Sequence, residues 1–304
     1  MLSASSILDQ IFIRDKKMKA SEIAEFLGCK LNGLDIEILN PCSINNIKPN
    51  SVVFFTGDCQ LPVLLNDKNI LAIVANQIEG STPHIITEHP RKAFAKVLHE
   101  FFYSPPVPVV AKTAIISESV KIGKDVYIGE NTVIGDNVSI GDNTIIKHGV
   151  VISANCSVGK NCVIESNSVI GEEGFGFEVI DNQPIRIPHL SHVIIEDNVE
   201  IGACTVICRG TLEPTHLYEG CKIDGSVFIA HNVKVEKNAF IIANSIICGS
   251  AVIGEGAWIS PLSTVKNKVK VGKNSLLGLG GVALKDMEDN GIYVGNPAKI
   301  LKKK

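Results

Sequence analysis

An aliphatic residue returns at every sixth position through much of this 304-residue chain, and no other feature restricts the fold as tightly. From Ile116 the register runs through Ile122, Ile128, Ile134, Ile140, Ile146, Ile152, Val158 and Ile164 to Ile170. It resumes at Ile195, Ile201 and Ile207, then holds from Leu217 through Ile223, Ile229 and Val235 to Leu277. An amphipathic helix needs spacings of three and four, and a half-buried strand alternates by two without a fixed six. A period of six predicts a left-handed parallel β-helix of hexapeptide repeats, each hexad forming one flat side of a triangular coil with its aliphatic residue inward. The Gly, Asn or Asp that follows allows the corner, often at positive φ. Three hexads close a coil. The register therefore predicts about eight coils, or about 38 Å of prism at roughly 4.8 Å per coil.

Two stretches break the register: "GEEGFGFEVIDNQPIRIPHLSH" between Ile170 and Ile195, and "RGTLEPTH" between Ile207 and Leu217. Insertions in a solenoid become loops on one face, often the binding face. Phe175 and Phe177 on the first loop need a neighbouring subunit or a ligand to cover them.

The first third of the chain has a different pattern. "KASEIAEFLGCKL" predicts a helix capped by Ser21 with Ile23, Phe26 and Leu27 on one face. "EHPRKAFAKVLHEFFY" predicts another, opened by Pro90, with Phe94, Val97, Leu98, Phe101 and Phe102 as its apolar stripe. "SVVFFTG" and "ILAIVAN" between them are buried strands. The expected organisation is an α+β recognition domain over 1–105, a linker "SPPVPVV" at 104–110, a β-helix over 111–285 and a capping segment over 286–304.

Composition excludes several functions. A net charge of −3 argues against a nucleic-acid binder. The nine cysteines form no C-x-x-C pair and no zinc-ligand spacing, so no metal is expected and the thiols are read as reduced core or near-surface residues. No apolar run is long enough to span a membrane, and Asp9 interrupts the apolar start of a segment that lacks a basic leader region, which predicts a cytoplasmic protein.

Together, the N-terminal pattern with "AFAKVL" before the linker, the "GEEGFGFE" loop and "IDGSVFIAHNV" resemble the UDP-3-O-acylglucosamine N-acyltransferase family of lipid A synthesis over nearly the whole chain. The resemblance implies transfer of an acyl group from a phosphopantetheine thioester, on acyl-CoA or acyl carrier protein, to the amine of a nucleotide-linked amino sugar. It implies a homotrimer with sites in grooves between prisms, and no tightly bound cofactor. His231 is the implied base: an attacking amine must lose a proton, and an imidazole with a free pKa of about 6.5 takes it at neutral pH. His231 lies two positions after the inward Ile229, so it projects outward. His148, two positions after Ile146, has the same hexad position and is read as merely exposed. Backbone N–H groups at the corners are candidates to hold the oxyanion.

By the same resemblance Asn232, Phe54 and Arg209 bind or orient the acceptor, while Gly174, Phe175, Gly176 and Phe177 line the acyl-donor channel. Departures from the family pattern shape the specificity expected. Gly57 and Gln60 stand where the family has the Asn and the Tyr of its uracil clamp, Lys268 where it has a second histidine, and Cys208 where it has an Asp. The ending "GNPAKILKKK" is similar to that of small sugar acetyltransferases, which use coenzyme A, rather than to the family's helical extension. The leading expectation is therefore an N-acyltransferase for lipopolysaccharide or another surface polysaccharide. The lipid A enzyme proper, and a non-catalytic β-helix scaffold or binding module, are the alternatives.

Overall fold

The computed structural model describes residues 17–56, 67–78 and 80–303. Gly57, Cys59 and Gln60, and the N-terminal segment interrupted by Asp9, lie outside the described residues. The chain divides into two compact units, Met1–Pro106 and Val107–Lys304.

The first unit is built on a five-stranded sheet, in which Asn40–Pro41, Ser51–Phe54, Ile70–Val74 and His84–Ile86 run parallel and Leu31–Asn32 closes one edge antiparallel. Ile70–Val74 is buried throughout, as a central parallel strand covered on both faces must be. Helix Pro90–Val97 starts at Pro90 and continues as a wider π turn over Leu98–Phe102, burying Val97, Phe101 and Phe102. The other helix spans Ala20–Phe26, so Ser21 lies inside it and is not its cap. The Asp35 carboxylate accepts the Ser21 N–H at 2.9 Å, and Glu22 reaches back to the Lys19 N–H at 3.1 Å. Those acidic groups satisfy first-turn amides that a capping serine would otherwise take.

The second unit is a parallel β-helix whose three faces are sheets of nine, eight and ten strands. Most strands are two residues long, the first pointing outward and the second inward, as in Val163–Ile164 and Phe228–Ile229. Pairing joins residues three hexads apart, so Ile128, Ile146 and Ile164 stack along one face of the core. The stack runs past the last aliphatic position of the register. Val282–Ala283 pairs with Thr264–Val265, and Gly291–Val294 pairs with Leu276–Leu277. The coil count inferred from large aliphatic residues alone is thus short, because Ala283 and Tyr293 occupy those last inward positions. The chain ends as a hairpin of Gly291–Val294 with Lys299–Lys303.

The corner chemistry differs from the expectation. Positive φ falls three residues after the inward aliphatic, at Asn131, Asn137, Asn143 and Asn161, and not on the glycine directly after it. That glycine is required for space: a Cβ on Gly129 would come within 2.7 Å of the His148 N atom on the next coil. A second buried column, four positions after the aliphatic, takes small residues such as Thr132, Thr144, Cys156, Cys162 and Ser168. Its hydroxyls donate to carbonyls of the next coil, Thr144 Oγ1 to Gly159 O at 2.8 Å, so the buried oxygens are satisfied. Its thiols are neutral: burial pushes Cys162 up to about 11 and Cys221 up to about 12.

The corner asparagines also form a ladder, Asn143 Nδ2 donating to Asn161 Oδ1 at 3.2 Å and Asn161 Nδ2 to Asn198 Oδ1 at 3.4 Å. With φ of 53° at Asn161, a β-branched residue there is strained while glycine is not. Asn161→Val should be less stable than Asn161→Gly by about 1–2 kcal/mol in urea unfolding; equal midpoints would show that the corner tolerates either geometry.

Candidate active site

Both interruptions leave the prism at one edge. The first runs between Val169–Glu172 on the nine-stranded face and Val193–Ile195 on the eight-stranded face; the second connects Val206–Cys208 to Thr215–Leu217 across the same two faces. His231 follows Phe228–Ile229 at that edge, and Gly249 stands one coil further, after Ile246–Ile247. The register therefore gathers two loops, a histidine and a glycine on one corner.

His231 is half-buried. Its Nδ1 lies 3.0 Å from Asn232 Oδ1. The orientation of that amide is settled by its other partners: the Thr211 N–H and hydroxyl approach Oδ1, each at 3.1 Å, and Nδ2 donates to Glu213 O at 2.7 Å. Since Oδ1 only accepts, Nδ1 carries the proton and Nε2 holds the lone pair. Asn232 itself is a corner residue with φ of 61°, and its N–H donates to Thr215 Oγ1 at 2.9 Å. The short second loop thus supplies Thr211, Glu213 and Thr215 to lock the residue that orients His231. None of the three was singled out from the sequence.

The Nε2 edge of His231 lies over Gly249, where a Cβ would come within 2.7 Å of both Cε1 and Nε2. The neighbouring amides are engaged, Cys248 N–H by Val265 O at 3.0 Å and Ser250 N–H by His231 O at 2.9 Å. A signal for Gly249 did exist in the sequence, since it occupies the hexad position of His231 one coil later. His148 makes the comparison clear. It is half-buried and not simply exposed, and its Nδ1 accepts the Glu130 N–H at 2.9 Å, so it serves the backbone of the preceding coil.

The first loop leans on His231. A Cβ on Gly174 would lie 3.2 Å from His231 Cδ2 and 2.9 Å from His189 Nε2. Beyond it Phe177–Ile180 and Gln183–Arg186 pair as an antiparallel hairpin. The rings of Phe175 and Phe177 meet at a tilt of 54° with centroids 4.9 Å apart, and Arg186 lies over the Phe177 ring at 4.7 Å. Phe175 remains 85% exposed. Arg209 ties down the base of this loop, its Nε donating to Gly171 O and its N–H to Glu172 O. Cys208, where the family pattern has a carboxylate, is buried, and burial followed by the Glu172 charge raises its thiol to about 11, so the position is neutral. Lys268 is exposed. Phe54 belongs to the other compact unit, where its ring packs on Phe94 at 4.9 Å. Among the described residues no group of three His, Cys, Asp or Glu side chains is placed to hold a metal ion, and no helix is long and apolar enough to cross a membrane.

The second unit is thus a β-helix of hexapeptide repeats that gathers two loops and a histidine, His231, at one corner. The family described as bacterial transferase hexapeptide (six repeats) matches residues 113–146 and 137–172. The UDP-3-O-acylglucosamine N-acyltransferase of Campylobacter lari is 39% identical over 302 residues, 94% of this chain and 94% of its own. A namesake from Legionella pneumophila is 36% identical over 234 residues, covering 70% of this chain and 66% of its own. Among solved structures, a UDP-N-acetylglucosamine O-acyltransferase from Moraxella catarrhalis superimposes with a TM-score of 0.59 at 26% identity, covering 64% of this chain and 74% of that one. The chain belongs to the UDP-3-O-acylglucosamine N-acyltransferase family, and it is an N-acyltransferase.

Gly249→Ala is a clean probe of the site, because the backbone there needs no positive φ and the three atoms nearest the added methyl all belong to the His231 ring. A shift of the imidazole by about 1 Å should lower kcat/KM by about 10- to 100-fold with the unfolding midpoint nearly unchanged. Wild-type turnover in a folded Gly249→Ala protein would show that the ring position is immaterial.

Proposed function

We propose that the chain transfers an acyl group from a phosphopantetheine thioester to the amine of UDP-3-O-acylglucosamine, the lipid A step. The names of relatives aligned over nearly the full length of both chains favour this acceptor over the broader expectation of another surface-glycan sugar. The donor is acyl carrier protein or acyl-CoA, a co-substrate and not a resident cofactor.

The observation that carries the reading is the 3.0 Å contact between His231 Nδ1 and Asn232 Oδ1. With Nδ1–H held by Asn232 Oδ1, Nε2 is free to accept a proton beside the Gly249 backbone. The amine nitrogen attacks the thioester carbonyl carbon, and His231 Nε2 takes the proton the amine loses. The carbonyl oxygen becomes an oxyanion, for which the Gly249 N–H is the donor. Collapse re-forms the carbonyl and breaks the C–S bond. The departing thiolate takes its proton from the His231 imidazolium, so the base is restored. Asn232 stabilises that imidazolium through the same hydrogen bond. Arg209 holds the loop that borders the donor channel, with Gly174, Phe175, Gly176 and Phe177 as its lining, and Phe54 of the first unit is the residue that the family resemblance assigns to the nucleotide.

His231→Ala should lower turnover by about 10²-fold or more while leaving the fold intact. Thiol release is the assay, with UDP-3-O-acylglucosamine and other nucleotide amino sugars crossed against acetyl-CoA, longer acyl-CoA and acyl-acyl carrier protein. Near-normal turnover in the variant, or preference for a different sugar, would overturn the base or the acceptor respectively.

A homotrimer fits the same reading. The outward row on the nine-stranded face is apolar along most of its length, with Val133, Phe228 and Ile246 all more than a third exposed, whereas the eight-stranded face shows Lys121, Ser139, Ser157 and Lys234. An apolar stripe of that extent needs cover, and its border is the edge that carries His231. Phe228→Glu should convert a trimer at micromolar concentration to monomers in light scattering and abolish activity with them. A wild-type monomer would remove the intersubunit groove.

A further inference from the structure

His189 closes the long insertion, and none of the steps above uses it. The residue is 2% exposed, and neither Nδ1 nor Nε2 makes a hydrogen bond of ordinary geometry among the described residues, the Ile187 backbone being the nearby polar group that acts on the ring. Leaving a buried polar atom unpaired costs about 1–3 kcal/mol, so a histidine here is a poor choice for filling space that an apolar ring would fill as well. Its position points to a use. The ring meets that of His231 edge to face, centroids 4.9 Å apart, at the reacting corner. On its other side are the loop glycines: a Cβ on Gly174 would lie 2.9 Å from Nε2, and one on Gly176 3.0 Å from Cε1. Only residues without side chains let the loop close over this imidazole.

Burial, and next the facing His231, hold the His189 pKa below the ordinary imidazole value. A neutral ring has one donor nitrogen and one acceptor nitrogen. Those are the functions that the N–H and C=O of an amide require, and the pantetheine arm of the donor contains two amides.

We propose that His189 is a donor-binding residue: the Gly174–Phe177 loop lifts as the thioester enters, and the uncovered ring hydrogen-bonds an amide of the pantetheine arm beside His231. The inference rests on the acyl-transfer reading and adds to it a second histidine with a binding role. It also explains why a loop bordering the donor channel is seated on a polar ring that it cannot satisfy.

The test separates hydrogen bonding from packing. His189→Phe keeps the ring bulk without a polar atom, His189→Leu does so with a smaller side chain, and His189→Gln keeps one donor group and one acceptor. Binding of S-acyl-pantetheine, the portion common to both donors, is measured by calorimetry on the full-length protein. The apolar variants should bind about tenfold or more weakly and His189→Gln within about threefold of wild type, in line with loss or retention of one buried hydrogen bond. KM for acyl-CoA and for acyl-acyl carrier protein should rise in parallel in the apolar variants, with KM for the amino sugar unchanged. Wild-type affinity in a folded apolar variant overturns the proposal. Equal losses in the Gln and apolar variants also overturn it, by assigning His189 to packing, as does a KM effect confined to one donor. If the binding pattern holds while no acyl group reaches UDP-3-O-acylglucosamine, the acceptor assignment fails and the role of His189 stands.

Discussion

Coil-on-coil hydrogen bonding is the constraint from which the rest of the second unit follows. An amide on one coil donates to a carbonyl on the coil beside it, Lys147 N–H to Ile164 O and Ala230 N–H to Ile247 O, and a parallel ladder accepts no slip of one residue without turning inward side chains outward. Isoleucine at the strand's second position makes such a slip costly, since each buried aliphatic side chain contributes about 1.5–3 kcal/mol. Register is therefore set anew at every hexad. Extra residues have one way out: they must leave at a corner and return in phase. Pairing of Val158 with Ile195 and of Ile170 with Ile207 across the long insertion shows that phase restored.

The coils that receive the insertions become chemically different at that edge from the coils before them. Where no insertion leaves, a corner asparagine bonds its counterpart on the next coil, as Asn137 does with Asn155 at the same edge and Asn143 with Asn161 at another. At Asn232 the short loop takes over that function, with Thr211 and Glu213 saturating the amide and turning Oδ1 toward the histidine. His148 and His231 occupy the same place in their hexads, and they differ in which nitrogen the surroundings leave free. In His148 a backbone N–H occupies Nδ1 from the preceding coil; in His231 a side-chain oxygen holds the Nδ1 proton and Nε2 is open. The difference between the two imidazoles is therefore made by their neighbours, a backbone amide of the repeat for His148 and a side chain locked by the short loop for His231.

This is also where legibility stops. The hexad period carries the solenoid almost completely, because each inward Ile is an independent vote for one fold. The corner was read one step wrong, since the glycine after the aliphatic and the asparagine two residues later are both small-turn residues in a sequence; only the close approach of the next coil distinguishes a steric need from a φ preference. Ser21 reads as a cap in the sequence because the carboxylate that holds its amide, Asp35, is fourteen residues away. In the site, His231 and the Gly-Phe-Gly-Phe loop were visible as motifs. Thr211, Glu213 and His189 were not, because they lie in segments without periodicity, where nothing local says which side chain turns back to the prism.

A rigid prism beside a glycine-bearing loop divides the labour of acyl transfer in a way the interactions themselves explain. In the proposed mechanism His231 and the Gly249 amide must keep their geometry through addition and collapse, and both belong to stacked coils whose backbones are hydrogen-bonded to their neighbours. The donor must enter and its thiol must leave, and that traffic borders the loop with the fewest ties to the ladder. Arg209 fixes the loop at Gly171 and Glu172, so any movement begins beyond that point. Gly174 lies beyond that point, Gly176 is tied to the hairpin through its carbonyl, which accepts the Ile187 N–H at 3.0 Å, and a Cβ on either glycine would meet His189. An unsatisfied imidazole beneath them weakens the closed state by about the cost of unpaired polar atoms. The loop is held down strongly enough to cover the corner and weakly enough to give it up to a ligand that supplies the missing hydrogen bonds.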